Sequence, residues 1–232
     1  MTEVVIDIHG TAILDYYKGQ DGHDLILHDP FGEAEEMPVE VFFREPEDFS
    51  ALEQLAMTHC RGSILDLGAG AGAHSLFLQH LGAPVTGLDN SPGCAEVMRL
   101  SGLKEVAEED YRIHRQQYDT LLLLMNGLGL ACKLDHVKTF LQQCGKLLVS
   151  GGQIIVDSSD INYLYENYPK PDHGYYGDFR YQYEYKGEKG DWFDWVYVDQ
   201  SSLEGIVSAL GLDFEILLTD EHDQYLARIS GF

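Results

Sequence analysis

The most constraining feature of this chain is a run of glycines set at the end of a buried strand. Residues 63–67 read as a strand covered on both faces, and they pass directly into Asp66-Leu67-Gly68-Ala69-Gly70-Ala71-Gly72. Glycines at that spacing let the backbone turn sharply and come close to a ligand, and the helix that follows offers its N-terminal amides. Nineteen residues beyond Gly70, at the end of the next predicted strand, stands Asp89. A carboxylate there can accept both hydroxyls of a ribose. Together they predict a site for an adenosine-containing cofactor, weighed against a glycine turn that binds nothing.

Strand and helix alternate around this loop. Ser50-Ala51-Leu52-Glu53 has the form of a capping box, and Leu52, Leu55, Ala56 and His59 follow at helical spacing. Ala73, Leu76, Phe77 and His80 make the next helical stripe, and residues 84–88 the second strand. Ser91-Pro92 opens a helix, with proline at the first helical position. Residues 104–107 form a weak third strand, and 120–124 a strong fourth, apolar on both faces as a central parallel strand is. Leu134, Val137, Leu141, Cys144 and Leu148 mark one face of a long helix stopped by Gly151-Gly152, before a fifth strand at 153–156. A helix over 201–210, with Ser201 and Glu204 as a second capping box, precedes strands at 214–218 and 224–229. The join between those strands is too short for a parallel crossover, so they are antiparallel neighbours. The whole predicts an α/β fold, a doubly wound seven-stranded sheet in three layers with an antiparallel last strand.

Two regions depart from this alternation. Residues 25–28 and 39–44 look like short strands around the turn Asp29-Pro30-Phe31-Gly32, with a hydrated acidic loop at 33–36, so 1–48 is read as an N-terminal cap on a domain spanning 49–232. Residues 160–200 hold nine of the fourteen tyrosines and both tryptophans. Within them 179–185 and 192–198 alternate around 186–191, the pattern of a β-hairpin.

Charge and cysteine usage exclude several functions. The 39 acidic against 15 basic residues give a net charge of −24, which repels a phosphate backbone and disfavours nucleic acid. The longest apolar run, 121–125, is far short of the roughly 20 residues of a membrane span. The start carries acid where a signal peptide carries base. Cys60, Cys94, Cys132 and Cys144 are scattered and suit a reducing compartment, so the expected location is the cytoplasm.

Two cofactors compete for the loop. Gly68-x-Gly70-x-x-Ala73 satisfies the relaxed dinucleotide fingerprint, which would make the chain an NAD-dependent oxidoreductase. Against this, Asp66 precedes the first glycine by two residues, where its carboxylate can meet an ammonium group but would repel a pyrophosphate. The loop also has no basic residue, and the antiparallel final pair is foreign to a six-stranded parallel dinucleotide fold.

ILDLGAGAG, VTGLDNSP, YDTLLLLMNGLG and LLVSGGQIIVDSSD, in that order, resemble the motifs of the class I S-adenosylmethionine-dependent methyltransferases, a Rossmann-like family, from about Ser50 to the C-terminus. The resemblance implies S-adenosylmethionine as cofactor, with Asp66 and Gly68 near its methionine part and Ala69, Gly70 and Gly72 allowing its approach. It implies that Asp89 binds the ribose with Asn90 and Ser91 close by, that Asp110 and Tyr111 flank the adenine, and that Met125 and Asn126 line the path of the methyl group. The usual proline before the double glycine is here Ser150. A module that keeps the pocket and does no chemistry is the third alternative.

Candidate catalytic residues lie where strands end over the crevice. Asn126 can orient a polar group, and Asp157 can accept a proton, pair with a cation, or simply cap a turn with Ser158 and Ser159. Of the histidines, His74 and His80 lie on the helix after the glycine loop; His136 and His173 map to the side where a substrate enters, and a lone histidine is more often packed than catalytic. No HExxH or cysteine quartet is present, and no metal is expected. The Tyr-rich segment is placed to cover the substrate, a small molecule, neutral or cationic, aromatic ones included. Tyr181, Tyr183 and Tyr185 equally suit a hairpin face or a dimer contact. Oligomeric state is open, and the N-terminal cap can close over the same mouth.

Overall fold

The computed structural model describes residues 7–20, 22–30, 34–166 and 169–232. In chain order these form α1 (Ile8–Tyr17), β1 (Leu25–His28), β2 (Ala34–Met37), α2 (Ala51–His59), β3 (Ile64–Leu67), α3 (Ala73–His80), β4 (Val85–Asp89), α4 (Pro92–Leu100), β5 (Glu105–Glu108) and β6 (Tyr118–Leu123). They continue as α5 (Leu134–Lys146), β7 (Leu148–Ser159), β8 (Asp178–Tyr185), β9 (Glu188–Lys189), β10 (Phe193–Val196), α6 (Gln200–Ala209), β11 (Asp213–Thr219) and β12 (Gln224–Ser230).

Seven strands form the main sheet in the order β11-β12-β7-β6-β3-β4-β5. β12 runs antiparallel to β7 and β11, and the other pairs are parallel. This is the predicted α/β architecture. Its layers follow from side-chain alternation: Leu65, Leu121, Leu123, Ile154 and Val156 face the core under α5 and α6, while Ile64, Leu122 and Ile155 face the core under α2, α3 and α4.

A second sheet, in the order β10-β8-β1-β2 with β9 on β8, joins segments from both ends of the chain. β8 pairs antiparallel with β10 on one side and β1 on the other. A tight turn at Lys186-Gly187, both with positive φ, leads from β8 into β9. The sheet rests on α1, which crosses α4 at two glycines: a Cβ on Gly93 would lie 2.2 Å from the carbonyl oxygen of Gly10.

Several expectations are corrected. Residues 39–44 are no strand; Val39–Phe42 is a 3-10 turn, and pairing ends at Met37 because Pro38 has no N–H for the ladder. The acidic loop is in part an edge strand, β2, whose exposed glutamates suit an unpaired sheet edge. Phe31, Gly32 and Glu33, from the expected turn and loop, lie outside the described residues. The long helix ends at Lys146, not at the double glycine, and β7 runs through Gly151 and Gly152 across a register shift that Gly151, at φ +79°, accommodates. The N-cap of α6 is Asp199, which accepts from the Ser202 amide at 2.9 Å, so the Ser201–Glu204 capping box does not form. The box at Ser50 and Glu53 does form, and Ser91 caps α4.

Candidate active site

β3 delivers the chain into Gly68, Gly70 and Gly72, all with positive φ. Their reasons for being glycine differ. A Cβ on Gly72 would strike Met98 at 2.8 Å, a packing constraint, whereas one on Gly70 would meet nothing within 4 Å. Space above Gly70 is open to a ligand. The amides of Gly68 and Ala69 donate to the Leu88 carbonyl at 2.8 and 3.0 Å, fastening the loop to β4. Asp89, at the end of β4, accepts from the Gly70 amide at 2.9 Å and from the Ser91 amide at 2.9 Å. Two motifs nineteen residues apart are therefore in direct contact. Burial pushes the Asp89 carboxyl above its ordinary range, against the pull of those two amides.

Asp66 is buried in β3 and accepts from Ser75 Oγ at 2.7 Å, and the Ser75 backbone also draws its carboxyl down. Burial pushes this carboxyl up, so it favours an incoming cationic donor.

The N-terminal helix enters the site as well, which the sequence analysis missed. Asp7 accepts from the Gly10 amide at 2.9 Å, from Ser91 Oγ at 2.8 Å and from the Gly93 amide at 3.0 Å. One carboxylate thus serves the N-termini of α1 and α4. His9, two residues on, stacks on Tyr183 (centroids 5.3 Å apart), meets Phe42 edge-on at 4.9 Å, and has Nδ1 3.6 Å from Cys94 Sγ. Burial holds its pKa below the usual value although the charges of Asp89 and Asp7 pull it up, so the ring is neutral at pH 7. The available signal was an aspartate three residues ahead of Gly10 at the head of an apolar stretch.

At the end of β6, Met125 and Asn126 have φ of +61° and +57°. Two successive left-handed residues other than glycine cost backbone energy and persist only when their surroundings hold them. Here Asp157 Oδ1 accepts from the Gly127 amide at 3.1 Å, Gln224 donates to its Oδ2 at 3.0 Å, and Ser159 Oγ donates to Asn126 Oδ1 at 2.8 Å. Burial pushes Asp157 up to about 6 against these bonds. One of its oxygens holds the turn and the other holds Gln224 at the start of β12.

The remaining candidates are more dispersed. Asp110 is tied to Arg112, whose hydrogen bonds hold its carboxyl below the usual range. Tyr111 packs edge-on against Phe140 at 5.5 Å. Asn90 is exposed beside Asp89. His136 and His173 are exposed, and their side chains bond to none of these residues. His74 is buried and bonds Glu53 at 2.8 Å.

Above the crevice stands the second sheet. Phe179, Tyr181 and Tyr183 share one face of β8, with Phe193 opposite Tyr181 and Trp195 opposite Phe179. Trp195 lies on Gly129, where a Cβ would come within 1.9 Å of the indole. The Tyr181 hydroxyl meets that of Tyr197 at 3.2 Å.

A solved structure described as a SAM-dependent methyltransferase from Bacteroides fragilis, in complex with S-adenosyl-L-homocysteine, is 35% identical over 97% of both chains, with a TM-score of 0.90. The chain belongs to the S-adenosylmethionine-dependent methyltransferases. No family model matches it. It is 32% identical over 102 residues to the ubiquinone biosynthesis O-methyltransferase of Xanthomonas oryzae pv. oryzae, which is 41% of this chain and 42% of that one. The match thus spans about two-fifths of the length of the curated relatives. The CcbJ methyltransferase of Streptomyces caelestis, at 14% identity and a TM-score of 0.61 over 82% of this chain and 98% of that one, shares the fold. The family's cofactor is S-adenosylmethionine, which sets the dinucleotide reading aside. The residues fit it: a buried carboxylate at Asp66, and open space over Gly70 beside Asp89. Among the described residues no helix is long and apolar enough to cross a membrane, and no group of three or more His, Cys, Asp and Glu is placed to hold a metal.

Proposed function

We propose that this chain transfers the methyl group of S-adenosylmethionine to a small molecule, neutral or cationic, taken into the crevice between the glycine loop and the aromatic sheet. The observation that carries it is the contact of Asp89 with the Gly70 amide beneath open space. The cofactor supplies a methyl group on a sulfonium, a good leaving group. Asp89 then takes the ribose hydroxyls, with Asn90 and Ser91 beside it. Asp66 and the backbone of Gly68, Ala69, Gly70 and Gly72 receive the amino-acid end, and Asp110 and Tyr111 lie on the adenine side. Asn126 orients a polar group of the substrate and Met125 lines the methyl path. Asp157 acts through the turn it holds and is a positioning residue. His136 and His173, both exposed, are given no proton-transfer step. Residues 1–48 and 160–200 together cover the substrate and exclude water.

Calorimetry with S-adenosylhomocysteine tests the cofactor assignment. Asp89→Ala is expected to weaken binding by about 1–3 kcal/mol through lost charged hydrogen bonds, without unfolding the protein. Unchanged affinity overturns the ribose assignment. Turnover of a metabolite library, followed as demethylated cofactor, separates an enzyme from a module that only binds: cofactor binding with no turnover of any acceptor would favour the module.

A further inference from the structure

The aromatic sheet has two unlike faces. The outer one pairs its charges, His28 with Glu184 at 2.8 Å and Arg180 with Asp194 at 3.0 Å. On the inner one Leu27, Phe179, Tyr181, Tyr183, Phe193 and Trp195 stand in register. Within β1, β2, β8 and β10 this inner face holds one charged side chain, Glu35, which lies opposite Leu27 and in the same row as Tyr183. No hydrogen bond or ion pair engages the Glu35 carboxylate among the described residues. Burial first pushes the hydroxyls of Tyr181 and Tyr197 upward; the Tyr197 contact and the charges of Asp29 and Glu35 add to this at Tyr181, and Tyr163 and Glu35 at Tyr197.

Both ends of the aromatic row are anchored. Trp195 rests on Gly129, just beyond the Met125–Asn126 turn, and Tyr183 stacks on His9, next to Asp89. Tyr181, Tyr197 and Phe193 therefore span the interval between the methyl path and the ribose carboxylate, with Glu35 at their margin. Ring faces attract cations, a carboxylate adds to that, and a chain of net charge −24 reinforces both. An anionic acceptor such as a phenolate would instead meet Asp66, Asp89 and Glu35.

We infer that the methyl acceptor is an amine, admitted as its ammonium ion by the faces of Tyr181, Tyr197 and Phe193 and the carboxylate of Glu35. This rests on the methyltransferase reading above. An N–H proton passes to water at the mouth, past Glu35. The freed nitrogen lone pair forms the new N–CH3 bond as the sulfonium C–S bond breaks, its electron pair staying on sulfur, and the methylated ammonium is the product.

The test is calorimetry of the whole chain saturated with S-adenosylhomocysteine, using choline and its neutral isostere 3,3-dimethylbutan-1-ol as probes. Choline is expected to bind about tenfold more tightly. Glu35→Gln, at an exposed position, should cut that preference to about twofold while S-adenosylhomocysteine binds as before. Equal affinity for the two probes, or a preference untouched in Glu35→Gln, overturns the amine assignment and leaves the methyltransferase reading standing. Failure of S-adenosylhomocysteine itself to bind overturns that underlying reading instead.

Discussion

The two sheets of this molecule are built in opposite ways. In the seven-stranded sheet nearly every element is announced by its own residues: β3 and β6 are apolar on both faces, and each turn beside them carries its glycine or cap. In the aromatic sheet no strand stands alone. β1 finds its partner β8 across more than 150 residues, with Ile26 opposite Glu184. The cofactor side of the site is local in sequence, and the proposed acceptor side is assembled from distant pieces resting on a few joints. Those joints are where the two halves can be pulled apart.

The largest effect is expected at the crossing of α1 and α4. A Cβ on Gly93 would meet the Gly10 carbonyl, and backbone cannot swing aside as a flexible side chain can. Gly93→Val should cost about 3 kcal/mol by overpacking. If the aromatic sheet depends on that joint, its near-ultraviolet circular dichroism will melt in urea ahead of the far-ultraviolet signal. Coincident transitions at the wild-type midpoint would mean that the crossing supports neither.

A second joint runs through Glu53. It caps α2 with Ser50, bonds His74 at 2.8 Å beside the glycine loop, and pairs with Arg44 from the N-terminal segment. Despite burial, the bonds from His74 and Arg44 hold its carboxyl down to about 2. A folded value below the ordinary 4.5 stabilises the protein in full above that ordinary value, and the contribution is lost as pH falls through about 2. Glu53→Gln should therefore cost about 2 kcal/mol at pH 7. By calorimetry the gap in melting temperature to wild type should narrow between pH 5 and 2. A gap independent of pH would assign the cost to shape, not charge.

The same contrast explains what was legible. Asp66, Gly70, Asp89 and Ser91 could be placed because a strand end, a glycine and a helix cap are each written within a few residues. Even the seven-strand count followed, since the short join before Gln224 permits only an antiparallel pair. β2 was misread because its pairing depends on β1 and not on its own polar residues, and Val39 because an apolar triplet after Pro38 can turn as well as extend. Asp157 reads as either a chemical group or a turn cap with Ser158 and Ser159; both serines continue β7 instead, and the carboxylate holds the left-handed turn after β6 and Gln224, neither visible in composition. Asp7 and His9 went unread because the groups they meet, Ser91, Gly93 and Tyr183, are more than 80 residues away.

The smallest effect expected is also the most discriminating. Asp7→Asn keeps one carbonyl oxygen but replaces the other with a donor, so the amides of Gly10 and Gly93 can no longer both be met. The stability cost should be about 1 kcal/mol, that of a weakened cap. Because α1 also carries His9 to the side of Asp89, loosening it should raise the dissociation rate of S-adenosylhomocysteine more than its association rate, as read by stopped-flow fluorescence. Asp89→Ala is expected to act on the same rate through a direct contact, so the double variant should lose less than the sum of the two. Strict additivity would place α1 outside the cofactor's exit path. The N-terminal helix would then serve the acceptor alone, and the division between the two sheets would fall at α1.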